Sequence, residues 1–178
     1  MVEKKLLIGI AGVAVAIIVL AAVYFVVLPE KEEEKDNSIF KDKYFIYDIS
    51  GIDDNDGEAY GGTAKLEVLS ITQTQLRVKF TFDLTKSGEP LDVEGILPFW
   101  IYYTSKGPGG TFVEEKTITG TPWGDVKVKG YKQNLVDTEI VIFGGVKDAA
   151  PYEIQLPVNG NEINALLTGS LKETNFLP

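Results

Sequence analysis

The sequence predicts an all-β domain of about eight antiparallel strands, arranged as a sandwich or half-barrel and preceded by one N-terminal transmembrane helix. Three observations support this fold class. Residues 6–28 carry no charge, residues 76–84 alternate between apolar and polar side chains, and glycine and proline recur between the later apolar segments. The first indicates a membrane span, the second a half-buried strand, and the third the turns of an antiparallel sheet.

The apolar run at residues 6–28 would measure ~35 Å as a helix, enough to cross a hydrocarbon core of ~30 Å. The apolar region of a signal peptide is shorter, ~7–15 residues, so an uncleaved signal anchor fits better. Long C-terminal domains translocate largely regardless of their charge. We therefore expect residues 1–5 to form a cytoplasmic stub and the rest to lie outside the cell membrane.

Three small residues share one face of this predicted helix, namely Gly9, Gly12 and Ala16. Small residues let a second helix approach closely, so these positions are candidates for helix association. A pilin-like filament subunit is a minor alternative, because Lys4 and Lys5 precede the apolar run. Pro29 and the charges after it interrupt the continuous apolar surface that such a helix needs.

Residues 29–43 are dominated by charge and predict a solvated stalk. Residues 44–178 then have the length of a single β-domain. Alternation and turn residues predict strands at residues 44–50, 63–71, 76–84, 99–104, 111–119, 125–131, 139–143, 152–156 and 163–171. The last segment also allows a helical turn at residues 162–167.

Composition excludes several kinds of chemistry. The chain has neither cysteine nor histidine, so zinc centres of the usual ligand types and Ser-His-Asp or Cys-His machinery have no residues to use. The whole chain carries a net charge of −9 and its first 28 residues carry +1, so the remainder carries −10. Nucleic acid is therefore a poor partner. We expect a protein that is not an enzyme.

Two groups of residues are candidate binding sites. Outside the cell, a cluster of oxygen ligands could hold Ca²⁺, and its residues are Asp53, Asp54, Asn55, Asp56 and Glu58. Asp, Asn and Gly are turn residues, so the usual interpretation of this segment is an acidic loop between the first two strands. Trp100, Tyr102 and Trp123 are candidates for holding an apolar ligand or a sugar ring, although aromatic residues in β-domains more often belong to the core.

The order of segments carries a resemblance. An opening strand at residues 44–51, a hairpin at 62–84, the turn at 119–124 leading into 126–131, and the segment at 151–154 follow one another. This order resembles prokaryotic, archaeal-type envelope proteins that are anchored in the membrane and carry a lipoprotein-carrier-like half-barrel. The resemblance implies transport of a lipid or another apolar ligand. This chain departs from that pattern because it has no lipobox cysteine.

The sequence thus favours a membrane-anchored envelope protein that acts by binding or structural association, through a protein partner or through itself. A surface-structure component or an accessory subunit of a membrane complex would need only this layout. The alternative is an extracytoplasmic carrier with an enclosed apolar cavity. A structural protein should instead have a filled core and an exposed strand edge or apolar patch.

Overall fold

The strands predicted from alternation form one antiparallel sheet. A computed structural model describes residues 37–91, 98–135, 138–159 and 164–177. A short 3₁₀ helix, Asn37–Phe40, precedes the strands. The strands are β1 (Tyr44–Ile52), β2 (Ala59–Ile71), β3 (Gln75–Lys86), β4 (Glu89–Leu91), β5 (Phe99–Thr104), β6 (Gly107–Pro108), β7 (Thr111–Thr121), β8 (Gly124–Asn134), β9 (Glu139–Gly145), β10 (Pro151–Asn159) and β11 (Asn164–Thr174).

The sheet runs in the order β6, β5, β3, β2, β1, β11, β10, β9, β8, β7, and β4 pairs with β3 beside this path. Its neighbouring strands pair in antiparallel fashion. The all-β antiparallel prediction is confirmed, with 11 strands in the described residues instead of about eight. The sheet is open, because no ladder joins β7 to β5 or β6 within those residues.

All nine predicted strands are present, and most extend by a few residues at one or both ends. Two strands were missed, because β4 and β6 are too short to show any alternation. The alternative helical turn at residues 162–167 is wrong for residues 164–167, the part that the structure describes, since they belong to β11. There, pairing with β10 decides the backbone conformation.

The core lies on the face of the sheet that the alternation predicted. In β3, Leu76, Val78 and Phe80 are buried, while Arg77 and Lys79 between them are exposed. Burying one such side chain contributes roughly 1.5–3 kcal/mol. The largest side chains that are almost completely buried are Tyr47, Tyr103, Phe40, Phe45, Phe80, Phe143, Ile140, Ile142, Val78 and Val128.

The 3₁₀ helix packs into the domain. Phe40 has no exposed surface, stacks on Phe176 with ring centroids 4.9 Å apart, and meets Tyr103 edge-on at 5.3 Å. The predicted stalk, residues 29–43, is therefore corrected at its C-terminal end, because the segment from Asn37 onward belongs to the β-domain. The apolar content of this segment was too low to predict that.

The side chain of Asn37 joins two turns. Its Nδ2 donates to the carbonyl oxygens of Thr72, Gln73 and Tyr103 at 2.9 to 3.1 Å. Its Oδ1 accepts from the N–H of Ser105 at 2.9 Å. Because Asn37 is buried, these bonds satisfy an amide that would otherwise be costly to remove from water.

A second buried amide connects β8 to β5. Gln133 Oε1 accepts from the Tyr102 N–H at 2.8 Å, and Nε2 donates to the carbonyl oxygens of Tyr102 and Gly109 at 2.8 and 3.0 Å. We call this junction the seam. Gly110 follows the seam with φ of 113°, and a Cβ there would collide with the Lys132 carbonyl oxygen. Only glycine therefore fits at position 110.

The predicted stub, membrane span and first part of the stalk lie outside the described residues, as do Gly9, Gly12 and Ala16. Within the described ranges, none of the helices has the length and apolar character needed to cross a membrane.

Candidate binding surfaces

The acidic turn between β1 and β2 is organised around a lysine. Lys86, at the end of β3, places its Nζ 2.8 Å from Asp53 Oδ2, 2.6 Å from Asp56 Oδ2 and 3.9 Å from Glu58 Oε2. Tyr60 donates its hydroxyl to Asp53, and the Asn55 N–H donates to the same carboxylate at 2.8 Å. The ammonium thus occupies the position between the carboxylates.

These contacts shift the pKa values of Asp53 and Lys86 in opposite directions. The Lys86 ammonium, the Tyr60 hydroxyl and the Asn55 N–H hold the pKa of Asp53 far below its usual range. The carboxylates of Asp53 and Asp56 in turn raise the pKa of Lys86. Asp53 is buried, so its charge is compensated by Lys86 and by hydrogen bonds. The arrangement is what a structural ion pair requires.

The calcium site stays a prediction, and the structure places its residues unequally. Asp53 and Asp56 contact Lys86, whereas Asp54 donates its N–H to the Asn164 carbonyl oxygen at 2.7 Å. Asn55 accepts from Asn164 through its side chain at 3.3 Å. No group of three or more acidic residues in the described part of the chain has the geometry to hold a metal ion.

The aromatic candidates lie in two places. Trp100 and Tyr102 are on the outer face of β5, with 43% and 55% of their surface exposed. Trp100 lies opposite Arg77 and Tyr102 opposite Gln75 on β3. Trp123 lies at the β7–β8 turn and meets Tyr152 edge-on at 5.8 Å. Trp100 is therefore exposed on the outer face of β5, whereas Trp123 packs against the core.

A shallow depression of about 230 Å³ lies beside β2, lined by Lys41, Asp42, Val68, Leu69, Ser70 and Ile71. Sites for small ligands usually measure roughly 300–1,000 Å³. None of the three aromatic candidates lines this depression.

Strand β7 was predicted as a strand, but its role as the edge of the sheet was not. It is 11 residues long, mostly exposed, and pairs only with β8 among the described strands. Phe112 and Val113 are exposed on it. The alternation within a single strand does not show whether it lies at an edge; the order of strands reveals this surface.

The hydrogen-bonding direction of β7 follows from β8. The Val146 N–H donates to the Lys127 carbonyl oxygen at 3.0 Å, so the backbone of Lys127 points toward β9 and away from β7. Thr117 lies opposite Lys127, so its own N–H and C=O point outward to the open edge. Glu115 has the same orientation by alternation, while Lys116 and Ile118 bond toward β8.

Lys116 holds the middle of β7 against the sheet. Its Nζ lies 2.8 Å from Glu153 Oε1 on β10 and 3.9 Å from the centroid of the Phe143 ring. Gln155 also donates to Glu153, at 2.8 Å. Opposite the Phe143 ring is Gly130, where a Cβ would collide with the ring. The β7–β8 hairpin is thereby fixed in place and its outer edge is left open.

Comparison with solved structures gives a distant structural likeness. The fold is similar to a de novo designed fluorescence-activating β-barrel, with 11% identity and a TM-score of 0.27 over 72% of this chain and 91% of that one. No protein-family model matches the chain, and no curated protein matches it. A likeness of this size carries no information about function. The resemblance to envelope proteins stays a prediction.

Proposed function

We propose that this chain is a single-pass membrane protein of the cell envelope, held by residues 6–28, whose extracytoplasmic β-domain binds a protein partner along β7. The observation that carries the proposal is the outward edge of β7, where Glu115 and Thr117 direct their N–H and C=O groups away from β8. An extended segment of a partner can pair with such an edge by adding one strand.

Other features of β7 limit the length over which such pairing can occur. The β7–β8 register shifts between Phe112 and Glu114 and again between Ile118 and Thr121. Bulges twist an edge away from neighbours, as does an inward-pointing charge such as Lys116. The regular edge is therefore confined to residues 114–118. A short, defined edge favours one specific partner strand over indiscriminate association.

Binding is favoured over catalysis because the polar groups that could do chemistry are committed to the scaffold. Asp53 is paired with Lys86, and Glu153 with Lys116. The hydroxyl of Tyr152 donates to Asp148 at 2.8 Å. Burial, followed by that carboxylate, raises the pKa of Tyr152, so the hydroxyl stays protonated. These groups stabilise loops and hairpins.

The test is native electrophoresis with mass spectrometry on protein extracted gently from its own membrane. We expect the wild-type chain to migrate with a stoichiometric partner. Thr117→Pro removes an outward N–H without touching the β8 ladder and should abolish this complex. Thr117→Ala, which keeps the N–H, should retain it. A monomer that carries a bound lipid would overturn the proposal in favour of the carrier. A complex that is unaffected by Thr117→Pro would show that the partner does not bind along β7.

A further inference from the structure

Exposed apolar, aromatic and cationic side chains gather at the end of the sheet where residue 37 begins the described chain. We call this band the proximal rim, and its members are Ile39, Lys41, Leu69, Arg77, Trp100 and Tyr102. Ile39, Leu69, Trp100 and Tyr102 are among the most exposed large hydrophobic residues of the domain.

Backbone pairing brings these residues to one end. Asn37 bonds to the β2–β3 turn at Thr72 and to Tyr103 on β5. Tyr102 lies opposite Gln75, the first residue of β3 after that turn. The rim therefore surrounds the point at which the 3₁₀ helix enters the sheet.

The rim continues across three neighbouring strands. Trp100 lies opposite Arg77, and Arg77 lies opposite Ser70, which follows Leu69. Leu69 and Lys41 line the same shallow depression. Trp100 and Arg77 thus lie side by side on the outer face of the sheet, and the exposed Leu69 lies next to them where the β2–β3 register shifts between Val68 and Ser70.

This mixture of side chains matches the chemistry of a bilayer interface. Tryptophan and tyrosine are enriched at the level of the lipid headgroups, where an apolar ring and a polar tip are both satisfied. Lysine and arginine place their stems along apolar surface and their charges near phosphates. Single exposed apolar side chains are common on protein surfaces and have no special meaning. Four exposed apolar or aromatic side chains beside two cations at one end of the sheet indicate an interaction surface.

The length of the connecting chain brings the rim within reach of a bilayer. Only residues 29–36 separate the predicted membrane span from Asn37. Fully extended, these eight residues reach at most ~30 Å. The far end of β1, at Ile52, lies a further ~26 Å along the strand from Tyr44.

We propose that the proximal rim inserts into the headgroup layer of the bilayer that holds the chain, with Trp100 and Tyr102 at the interface and Lys41 and Arg77 near lipid phosphates. This inference rests on the proposed membrane anchor. Zwitterionic lipid is the favoured surface, because residues 29–178 carry a net charge of −10 and anionic lipid would repel them.

The test uses two matched cysteine variants of the full chain, which has no native cysteine. Ile39→Cys lies on the rim, and Ile52→Cys lies at the opposite end, the two isoleucines being 42% and 58% exposed. Each variant is labelled with an environment-sensitive fluorophore and reconstituted into phosphatidylcholine vesicles. Brominated phosphatidylcholine should reduce the fluorescence at position 39 roughly twofold, since interfacial elements reach ~5–10 Å into the bilayer boundary. Position 52 should be unaffected.

A second pair of variants tests the aromatic residues. Tyr102→Ser combined with Trp100→Ser should remove the quenching at position 39. Leu166→Ser should leave it unchanged, because Leu166 is similarly exposed but lies near the start of β11, at the end opposite the rim. Circular dichroism establishes that each variant is folded.

The outcomes separate this inference from the proposed anchor. Failure of the chain to float with the vesicles would overturn both. Flotation with equal quenching at positions 39 and 52 would overturn the rim alone and leave the anchor standing. Quenching at position 39 that survives the double aromatic substitution would also overturn the assignment of Trp100 and Tyr102 as the inserting side chains.

Discussion

The two edges of the sheet are treated in opposite ways. At the edge formed by β5 and the two-residue β6, Gln133 and Asn37 bond to the backbone of Tyr102 and Tyr103, and Phe40 packs against Tyr103. At the β7 edge, the outward backbone groups of Glu115 and Thr117 meet no strand among the described residues. The difference teaches that an edge is closed by buried side chains from distant segments, and that the unclosed edge is the one available to a partner.

Phe40→Ala should produce the largest effect, because it removes a fully buried ring from the closed edge. The loss of contacts with Tyr103 and Phe176 and the resulting cavity should lower the free energy of unfolding by about 3–5 kcal/mol. Urea denaturation followed by tryptophan fluorescence measures this. Ile52→Ala, at an exposed position, serves as the control. A change below that of the control would show that the 3₁₀ helix is dispensable.

Gln133→Ala should have the next largest effect. It leaves the N–H of Tyr102 and the C=O of Gly109 without the bonds that Gln133 makes to them, while the C=O of Tyr102 keeps the Gly109 N–H as a donor. The expected cost is roughly 1–3 kcal/mol. Hydrogen exchange should show faster exchange at the Tyr102 amide. Lys132→Ala removes a half-buried neighbour whose ammonium pairs with Glu139, and should leave that amide protected. Unchanged protection in Gln133→Ala would mean that the seam is held by other groups.

Lowering the pH should weaken the ion-paired turn and leave the hydrogen bonds of the seam unaffected. The neutral amides at the seam do not titrate, whereas the pKa of Asp53 is lowered in the folded state. A carboxyl with a lowered pKa stabilises the fold above its unfolded pKa of ~3.9 and loses this contribution as pH falls toward the folded value. Wild type should therefore exceed Asp53→Asn in melting temperature at neutral pH, with the difference shrinking below about pH 4. A difference that is constant with pH would contradict the pairing with Lys86.

Thr117→Ala should have the smallest effect on stability, within about 0.5 kcal/mol, because the side chain lies on an exposed edge strand. Amide exchange should be fast at Glu115 and Thr117 and slow at Lys116 and Ile118, which bond toward β8. Equal protection along β7 in the isolated protein would show that its outer edge is covered.

Most of the fold followed from local patterns, because the alternation of buried and exposed side chains within one strand is a property of adjacent residues. Strand β3, with Val78 and Phe80 inward and Lys79 outward, is the clearest case. Long-range pairing leaves no such trace. Lys86 lies 33 residues from Asp53, and Gln133 lies 31 residues from Tyr102. Only the ladders between strands bring these side chains together.

The candidate sites were therefore predicted less completely than the fold. Composition identified the acidic turn but could not indicate that an ammonium lies among its carboxylates. Aromatic residues were recognised without their direction, and Trp123 contacts Tyr152 while Trp100 and Tyr102 face outward. The edge position of β7 was not predicted, because whether a strand is central or peripheral depends on the order of all the others.

The central position of β1 has a mechanical consequence. The first strand after the 3₁₀ helix pairs with β2 on one side and β11 on the other. A pulling force that is applied to the chain at its N-terminal side and opposed at the far end of the sheet acts along this strand, so the hydrogen bonds of both ladders are loaded together in shear. A first strand at an edge of the sheet would carry the same load through a single ladder. The topology thus lets the domain bear tension through its most heavily bonded strand.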